Sequence, residues 1–117
     1  MIDWLDSLKR SKKLIIVEGE KDRRALSKLG LKKVVAISRK PLFKFVEEVS
    51  SKNKEVIILT DLDKEGKKLY HKLKAGLQRN GIRVDNKFRE ALFKETRLSQ
   101  IEGIFRYFTK RFSGFLK

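Results

Sequence analysis

Apolar residues along the chain form two kinds of pattern, short continuous runs and helical stripes. The runs at residues 14–18, 33–37 and 56–60 predict buried strands, because strands of a parallel sheet are apolar on both faces, and residues 82–84 predict a short fourth strand. Between the runs, apolar side chains recur every three or four residues and predict helices over about 21–29, from Pro41 onward, and over about 65–78. This alternation predicts an α/β fold in which helices flank a central, parallel, four-stranded sheet.

Helical patterns also lie outside this alternation. We expect a short helix at residues 2–8, a helix at 86–95, and a final amphipathic helix whose apolar stripe is formed by Leu98, Ile101, Phe105, Phe108 and Phe112. The helical spacing favours core packing over base stacking for the phenylalanines of this stripe. We expect a loop at residues 50–53 and fraying at residues 113–117.

The chain has 117 residues, a length typical of one domain. We therefore expect a single domain over residues 1–117, with an α/β core at about 12–85 and a helical C-terminal extension at about 86–117. The absence of cysteine excludes disulfides and thiolate metal sites. The first residues carry acids and then lysines before only four apolar residues, which predicts no signal peptide, no membrane span or membrane partner, and a cytoplasmic location.

The formal charge of +15 is unevenly distributed. Residues 1–65 contain 16 basic and 11 acidic residues, whereas residues 66–117 contain 14 basic and only 4 acidic ones. A surface this basic favours nucleic acid as a partner, through contacts to phosphates, with an anionic membrane as the lesser alternative. A second interpretation is that the lysines only solvate helix faces.

Acidic residues stand at the carboxyl ends of predicted strands. Glu18 closes the first run, Asp61, Asp63 and Glu65 follow the run at 56–60, and Asp85 follows the last. In parallel sheets these ends share one edge, where ligands bind, so Glu18 is predicted to join Asp61 and Asp63 around a divalent cation. The structural alternative is that Asp63 only caps the following helix and that Glu65 complements its dipole.

Two motifs together resemble a known family. LIIVEGEKD at residues 14–22 and IILTDLDKEG at residues 57–66 resemble the two motifs of the Toprim domain, which topoisomerases, bacterial-type primases and certain small nucleases share. The resemblance covers about residues 12–85 and implies a three-layer, Rossmann-like Toprim fold. The chain looks most like small archaeal Toprim proteins and is similar to the Toprim part of the ribosomal-RNA maturation nucleases.

The resemblance implies roles for the acids. Glu18 corresponds to a general acid or base, Asp61 and Asp63 to a pair that holds Mg²⁺, with Mn²⁺ as an alternative, and Glu65 to a further acidic position. Topoisomerases also need a nucleophilic tyrosine on another domain, and Tyr70 and Tyr107 lie on helical stripes, so we do not expect strand passage. Primases need further domains, so we do not expect primer synthesis by this chain alone.

The combined interpretation is a magnesium-dependent protein that acts on phosphodiester bonds, a nuclease-type enzyme of nucleic-acid processing. RNA is preferred over DNA on the resemblance alone. The alternative is a non-catalytic module that binds nucleic acid or a ribonucleoprotein, and the final helix is compatible with a homodimer. The basic residues that adjoin the strand ends are the candidate phosphate ligands: Lys21, Arg23, Arg39, Lys64 and Lys67.

Overall fold

A parallel sheet of four strands lies at the centre of the computed structural model, which describes residues 1–112. The spatial order of the strands is β2-β1-β3-β4. Their bounds are β1 Leu14–Val17, β2 Val34–Ala36, β3 Glu55–Ile58 and β4 Arg83–Asp85. The predicted α/β fold with a four-stranded parallel sheet is confirmed. The tail predicted to fray, residues 113–117, lies outside the described residues.

Helices cover both faces of this sheet. Their bounds are α1 Ile2–Ser11, α2 Glu20–Lys28, α3 Leu42–Lys52, α4 Lys64–Arg79, α5 Lys87–Glu95 and α6 Ile104–Phe112, with a 3₁₀ turn at Ile101–Gly103. Within residues 1–112, none of these helices combines the length and the apolarity that crossing a bilayer requires.

The strands separate two apolar cores because alternate side chains point to opposite faces of the sheet. Ile15, Val17 and Ile57 contact the layer that contains α1, α2, α5 and α6. Ile16 and Ile58 contact α3 and α4 on the other face. Each of these five side chains is at most 2% exposed, which explains the absence of polar alternation in the strands.

Two predicted boundaries are wrong. The α3 helix continues through residues 50–52, where a loop was predicted, and the Ser51 hydroxyl donates to the Glu48 carbonyl one turn earlier at 2.8 Å. The final helix begins only at Ile104, so Leu98 and Ile101 of the predicted stripe precede it. Residues 97–100 are irregular because their backbone contacts the loop after β3, as described below.

Phenylalanines of α6 pack as their spacing predicted. Phe108 is fully buried and stacks on Trp4 of α1, with ring centres 6.2 Å apart. Phe105 and Phe112 are partly buried against the same core. These contacts attach the C-terminal extension to the sheet layer that α2 covers, and α2 contacts both the 3₁₀ turn and α6.

Lysine neutralises one buried carboxylate, Asp85 at the end of β4. Its side chain is 4% exposed, and it accepts hydrogen bonds from Lys13 Nζ at 2.8 Å and from the Lys87 backbone N–H at 3.1 Å. Burial would raise the pKa of Asp85, but the bonds from Lys13 and Lys87 outweigh burial and lower it. Asp85 is therefore held in a structural ion pair, and it lies outside the group of converging strand-end acids described below.

We expect Asp85→Asn to lower the free energy of unfolding by about 2 kcal/mol at neutral pH, as for a hydrogen bond to a charged group. The folded-state pKa is depressed, so the carboxylate stabilises the fold above its unfolded pKa of about 4, and this contribution is lost as pH falls through the folded-state value. Urea unfolding at neutral and acidic pH should show that the difference in unfolding free energy between wild type and Asp85→Asn becomes smaller as the pH falls. As the control, Glu55→Gln removes the more exposed partner of Lys13, which lies 3.3 Å from Lys13 Nζ. The prediction is contradicted if Glu55→Gln loses as much unfolding free energy as Asp85→Asn does.

Candidate metal centre

Glu18 and Asp61 lie side by side because their strands are adjacent and in register. Ile16 of β1 is level with Ile58 of β3, which places the residues that follow each strand at the same carboxyl edge. The Asp61 backbone N–H donates to Glu18 Oε1 at 2.9 Å. The sheet topology thus joins two acids that are far apart in the sequence.

Asp63 completes a group of three carboxylates, which we call the acid cluster. One carboxylate oxygen from each of Glu18, Asp61 and Asp63 lies within 4.8 Å of the others. The ion pairs found among residues 1–112 all involve other acids, so lysine and arginine side chains leave this negative charge unpaired at contact distance. Oxygen donors carrying net negative charge suit hard divalent cations such as Mg²⁺ and Mn²⁺, so the acid cluster can hold a metal.

The surroundings of the acid cluster disfavour the ionised form of its carboxyl groups. Burial raises the pKa of Glu18, the charges of Asp61, Asp63 and Asp22 raise it further, and the bond from the Asp61 N–H partly opposes them. Burial also raises the pKa of Asp61, against the bond from the Ile101 N–H. A bound cation would relieve the repulsion within the cluster.

Asp63 also caps a helix. Its Oδ1 accepts the Gly66 backbone N–H at 2.8 Å at the start of α4, as the structural alternative predicted. A carboxylate has two oxygens, so capping by one of them does not exclude metal binding by the other. The capping role of Asp63 is confirmed, and its role as a metal ligand stays a prediction.

Gly66 is required by the tight loop between β3 and α4. A Cβ atom at this position would lie 2.0 Å from the Asp61 carbonyl oxygen, a distance that no side chain tolerates. The Thr60 hydroxyl also donates to the Gly66 carbonyl at 2.9 Å across the loop. The glycine that ends the second motif thus lets the backbone of α4 pack directly against the backbone of Asp61.

Arg89 of α5 supports the same loop and was not predicted. Its side chain is buried, and it donates to the Thr60 carbonyl at 3.2 Å and to the Asp61 carbonyl at 2.8 Å. The guanidinium also lies 4.5 Å from the ring centre of Tyr70 and 5.4 Å from that of Phe93. A local signal existed, because Arg89 precedes Phe93 by four residues and so lies on a helical stripe that is otherwise apolar.

The C-terminal extension supplies further contacts that sequence reasoning missed. The Ile101 N–H donates to Asp61 Oδ1 at 2.7 Å, and the Leu62 N–H donates to the Ser99 carbonyl at 2.8 Å. These bonds replace the helical continuation that was predicted through Ile101. Their donors and acceptors are backbone groups, so side-chain identity gives no signal for them.

Asp22 is a buried acid next to the acid cluster. It accepts the Gly19 backbone N–H at 3.0 Å at the start of α2. Burial raises its pKa, the bond from Gly19 opposes this effect, and the charges of Asp61 and Glu102 add to it. The capping spacing of Gly19 and Asp22 is the sequence signal for this position.

The other predicted site residues surround the acid cluster without joining it. Glu65 is exposed in the first turn of α4 and lies outside the group of converging carboxylates. Arg23 donates from Nε to Glu20 at 2.7 Å. The remaining predicted phosphate ligands are exposed: Lys21, Arg39, Lys64 and Lys67. Their roles stay predictions.

We expect Arg89→Met to lower the free energy of unfolding by about 2–3 kcal/mol, because the buried Thr60 carbonyl and the part-buried Asp61 carbonyl lose a charged donor. It should also weaken Mg²⁺ binding, since the loop that carries Asp61 loses its anchor. Urea unfolding and calorimetric titration with Mg²⁺ measure the two effects. Arg10→Met, at an exposed position of α1, is the control. Unchanged Mg²⁺ affinity in folded Arg89→Met protein would contradict the positioning role.

The raised pKa values predict how the metal-free protein responds to pH. A carboxylate with a raised folded-state pKa costs stability as pH rises from its ordinary value of about 4 through the folded-state value. In EDTA, the Tm of Asp61→Asn should therefore exceed that of the wild type by a margin that grows over this window. Millimolar Mg²⁺ should raise the Tm of the wild type and leave that of the variant unchanged.

Thermal unfolding across pH, with and without Mg²⁺, tests this prediction. Glu48→Gln, which removes an exposed carboxylate of α3, is the matched control and should behave as the wild type does. The prediction fails if Mg²⁺ stabilises wild type and Asp61→Asn equally.

Comparisons with known proteins identify the family of this chain. The model of the Toprim domain matches residues 13–89. A UPF0292 protein of Methanocaldococcus jannaschii is 34% identical over 117 residues, covering 95% of this chain and 91% of the relative. Another, from Pyrococcus abyssi, is 41% identical over 101 residues, or 86% of this chain and 75% of the relative. A solved structure of an Aquifex aeolicus protein matches with a TM-score of 0.81 and 36% identity, over 87% of this chain and 95% of that one. The chain, whose relatives include these small archaeal proteins, therefore belongs to the Toprim domain family.

Proposed function

We propose that this protein is a magnesium-dependent enzyme that cuts phosphodiester bonds in nucleic acid, with RNA preferred over DNA. The observation that carries the proposal is the acid cluster, in which three carboxylates converge on the surface of a chain with a net charge of +15. The basic chain attracts a polyanion, and the acid cluster offers a place where a cation can join the protein to a phosphate.

The proposed metal ligands are Asp61 and Asp63, with Glu18 and Glu65 as further candidates. When bound, Mg²⁺ or Mn²⁺ neutralises charge on the phosphoryl oxygens. Backbone N–H groups of Ile101 and Gly66 orient the two aspartates. The positions of these proposed ligands are therefore set by contacts with the protein's own backbone.

Glu18 is the proposed group for proton transfer. Burial and the neighbouring acids raise its pKa, which brings it closer to neutral pH, where a carboxyl can both donate and accept a proton. The hydrogen bond from the Asp61 N–H fixes the direction of the carboxylate. Glu18 can thus serve the attacking or the leaving oxygen of a phosphodiester.

Exposed cations around the acid cluster are proposed to contact substrate phosphates. Arg23 is engaged with Glu20, so it contributes only if that pair opens. The others are exposed: Lys21, Arg39, Lys64 and Lys67. The preference for RNA rests on the similarity to ribosomal-RNA maturation nucleases, and the cytoplasmic location and the homodimer stay predictions.

Cleavage of labelled structured RNAs and DNAs by the purified chain tests the proposal. We expect cleavage that needs Mg²⁺ or Mn²⁺ and that falls about 10²- to 10⁴-fold in Glu18→Gln, as for loss of a general acid or base. Asp61→Asn should lose cleavage together with metal binding. Glu48→Gln, which alters an exposed acid on α3, should cleave at the wild-type rate.

The alternative is a non-catalytic module that binds nucleic acid or a ribonucleoprotein. It predicts affinity that falls steeply with salt, as phosphate contacts require, and no cleavage under any metal condition. Salt-dependent binding without cleavage would establish that alternative. Cleavage that survives both Glu18→Gln and Asp61→Asn would refute the proposed site.

A further inference from the structure

A groove lies beside the acid cluster, between α2 on one side and α6 with its preceding 3₁₀ turn on the other. Its volume is about 490 Å³. We call it the α2–α6 groove, and the side chains that matter here are Lys21, Arg24, Lys28, Glu102, Phe105 and Arg106. Its α6 wall follows the residues that the Toprim model matches, 13–89, so it is a feature of the C-terminal extension.

Positive charge lines the groove along its length. Lys21, Arg24 and Lys28 are spaced by three and four residues and so share one face of α2, over about 10 Å of helix. That length corresponds to roughly three phosphates of a stacked strand. Arg106 adds a cation from α6. The ion pairs found among residues 1–112 involve none of these four side chains.

An aromatic ring lies within this basic surface. Phe105 packs partly against the core and partly lines the groove, where Lys28 Nζ lies 5.4 Å from its ring centre. Basic side chains that follow a strand, together with an aromatic face on which a base can stack, are the combination that binds single-stranded nucleic acid. A duplex would keep its bases stacked on one another and leave this ring unused.

At one end of the groove, the lining residues adjoin residues that contact the acid cluster. Glu102 lines the groove, and its neighbour Ile101 donates to Asp61 Oδ1 at 2.7 Å. On the opposite wall, Lys21 is adjacent to Asp22, the buried acid beside the cluster. A strand lying in the groove would therefore extend directly to the acid cluster.

We propose that the α2–α6 groove binds a single-stranded segment of nucleic acid and leads it to the acid cluster. Lys21, Arg24, Lys28 and Arg106 contact its phosphates, and Phe105 stacks on a base after Lys28 moves off the ring. This inference rests on the proposed function for the identity of the ligand. It adds that the substrate is unpaired on one side of the scissile bond.

Fluorescence anisotropy in EDTA tests the groove without any need for turnover. The probes are a labelled single-stranded RNA, the DNA of the same sequence, and the corresponding duplexes. In the triple variant Arg24→Gln, Lys28→Gln, Arg106→Gln, the slope of log affinity against log salt should fall by about 2 for single strands. Affinity at about 0.1 M salt should fall on the order of 10- to 100-fold.

The matched control removes three lysines at the amino edge of the sheet: Lys9→Gln, Lys32→Gln and Lys33→Gln. These residues are exposed and line a different groove. The control therefore removes the same net charge as the groove variant, but from another part of the surface. An equal loss of affinity in this control would overturn the proposal in favour of a general positive field. Tighter binding of both duplexes than of the single strands would overturn it as well.

Phe105→Leu separates stacking from charge. Leucine keeps an apolar side chain against the core but has no aromatic face, so affinity for single strands should fall about tenfold with an unchanged salt slope. Unchanged affinity of folded Phe105→Leu protein for single strands would overturn the role of the ring. Whichever single strand, RNA or DNA, loses more affinity in these variants is the one that the groove binds.

The two proposals fail in different ways. If the groove variants bind as the wild type does while Mg²⁺-dependent cleavage requires Glu18 and Asp61, the groove proposal fails and the proposed function stands. If single-strand binding depends on the groove but no cleavage occurs, the enzymatic proposal fails and the groove remains a binding site.

Discussion

Crowding of like charges at the carboxyl edge of the sheet is the constraint on which the rest of this structure depends. Glu18, Asp61 and Asp63 place carboxylate oxygens within 4.8 Å of one another, and burial makes the charges of the first two harder to sustain. The chain holds them with backbone N–H groups of Asp61, Ile101 and Gly66. Such donors orient carboxylates without cancelling their charge, so the cluster keeps its attraction for a divalent cation.

The contrast with Asp85 shows that basic side chains are available for neutralisation and are used elsewhere. The chain has 30 lysines and arginines, and Lys13 pairs with Asp85 at 2.8 Å. The nearest equivalent at the acid cluster is Arg89, but its hydrogen bonds go to the carbonyls of Thr60 and Asp61. It therefore supports the loop that carries Asp61 and forms no ion pair with the carboxylates of the acid cluster. The two arrangements separate a structural acid from those that can bind metal.

The C-terminal extension links this metal centre to the basic surface. Its residues 99–101 hydrogen-bond to the loop after β3, and α6 then packs on the core through Phe108. The same course places Phe105 and Arg106 opposite the cations of α2. One segment thus orients Asp61 and forms one wall of the groove, which couples the proposed chemistry to the proposed strand binding.

The sequence by itself determined the fold class, the order of strands and helices along the chain, and the family. Buried strands and amphipathic helices are encoded by local periodicity, and the acids at the strand ends are encoded by position within two short motifs. Parallel strands must share a carboxyl edge, which is why the approach of Glu18 to Asp61 was predictable. The apolar stripe of α6 was equally readable, because helical spacing reports burial directly.

The tertiary structure alone decided which groups support the acid cluster and which other strand-end acids lie outside it. Asp85 pairs with Lys13 across 72 positions of sequence, and Arg89 reaches carbonyls 28 and 29 residues away, so no local pattern contains either contact. The break before α6 depends on backbone donors and acceptors that every residue possesses. The groove exists only because packing brings α6 against α2. Side-chain periodicity reports which face of an element is buried, and contacts between distant elements depend on how those faces meet.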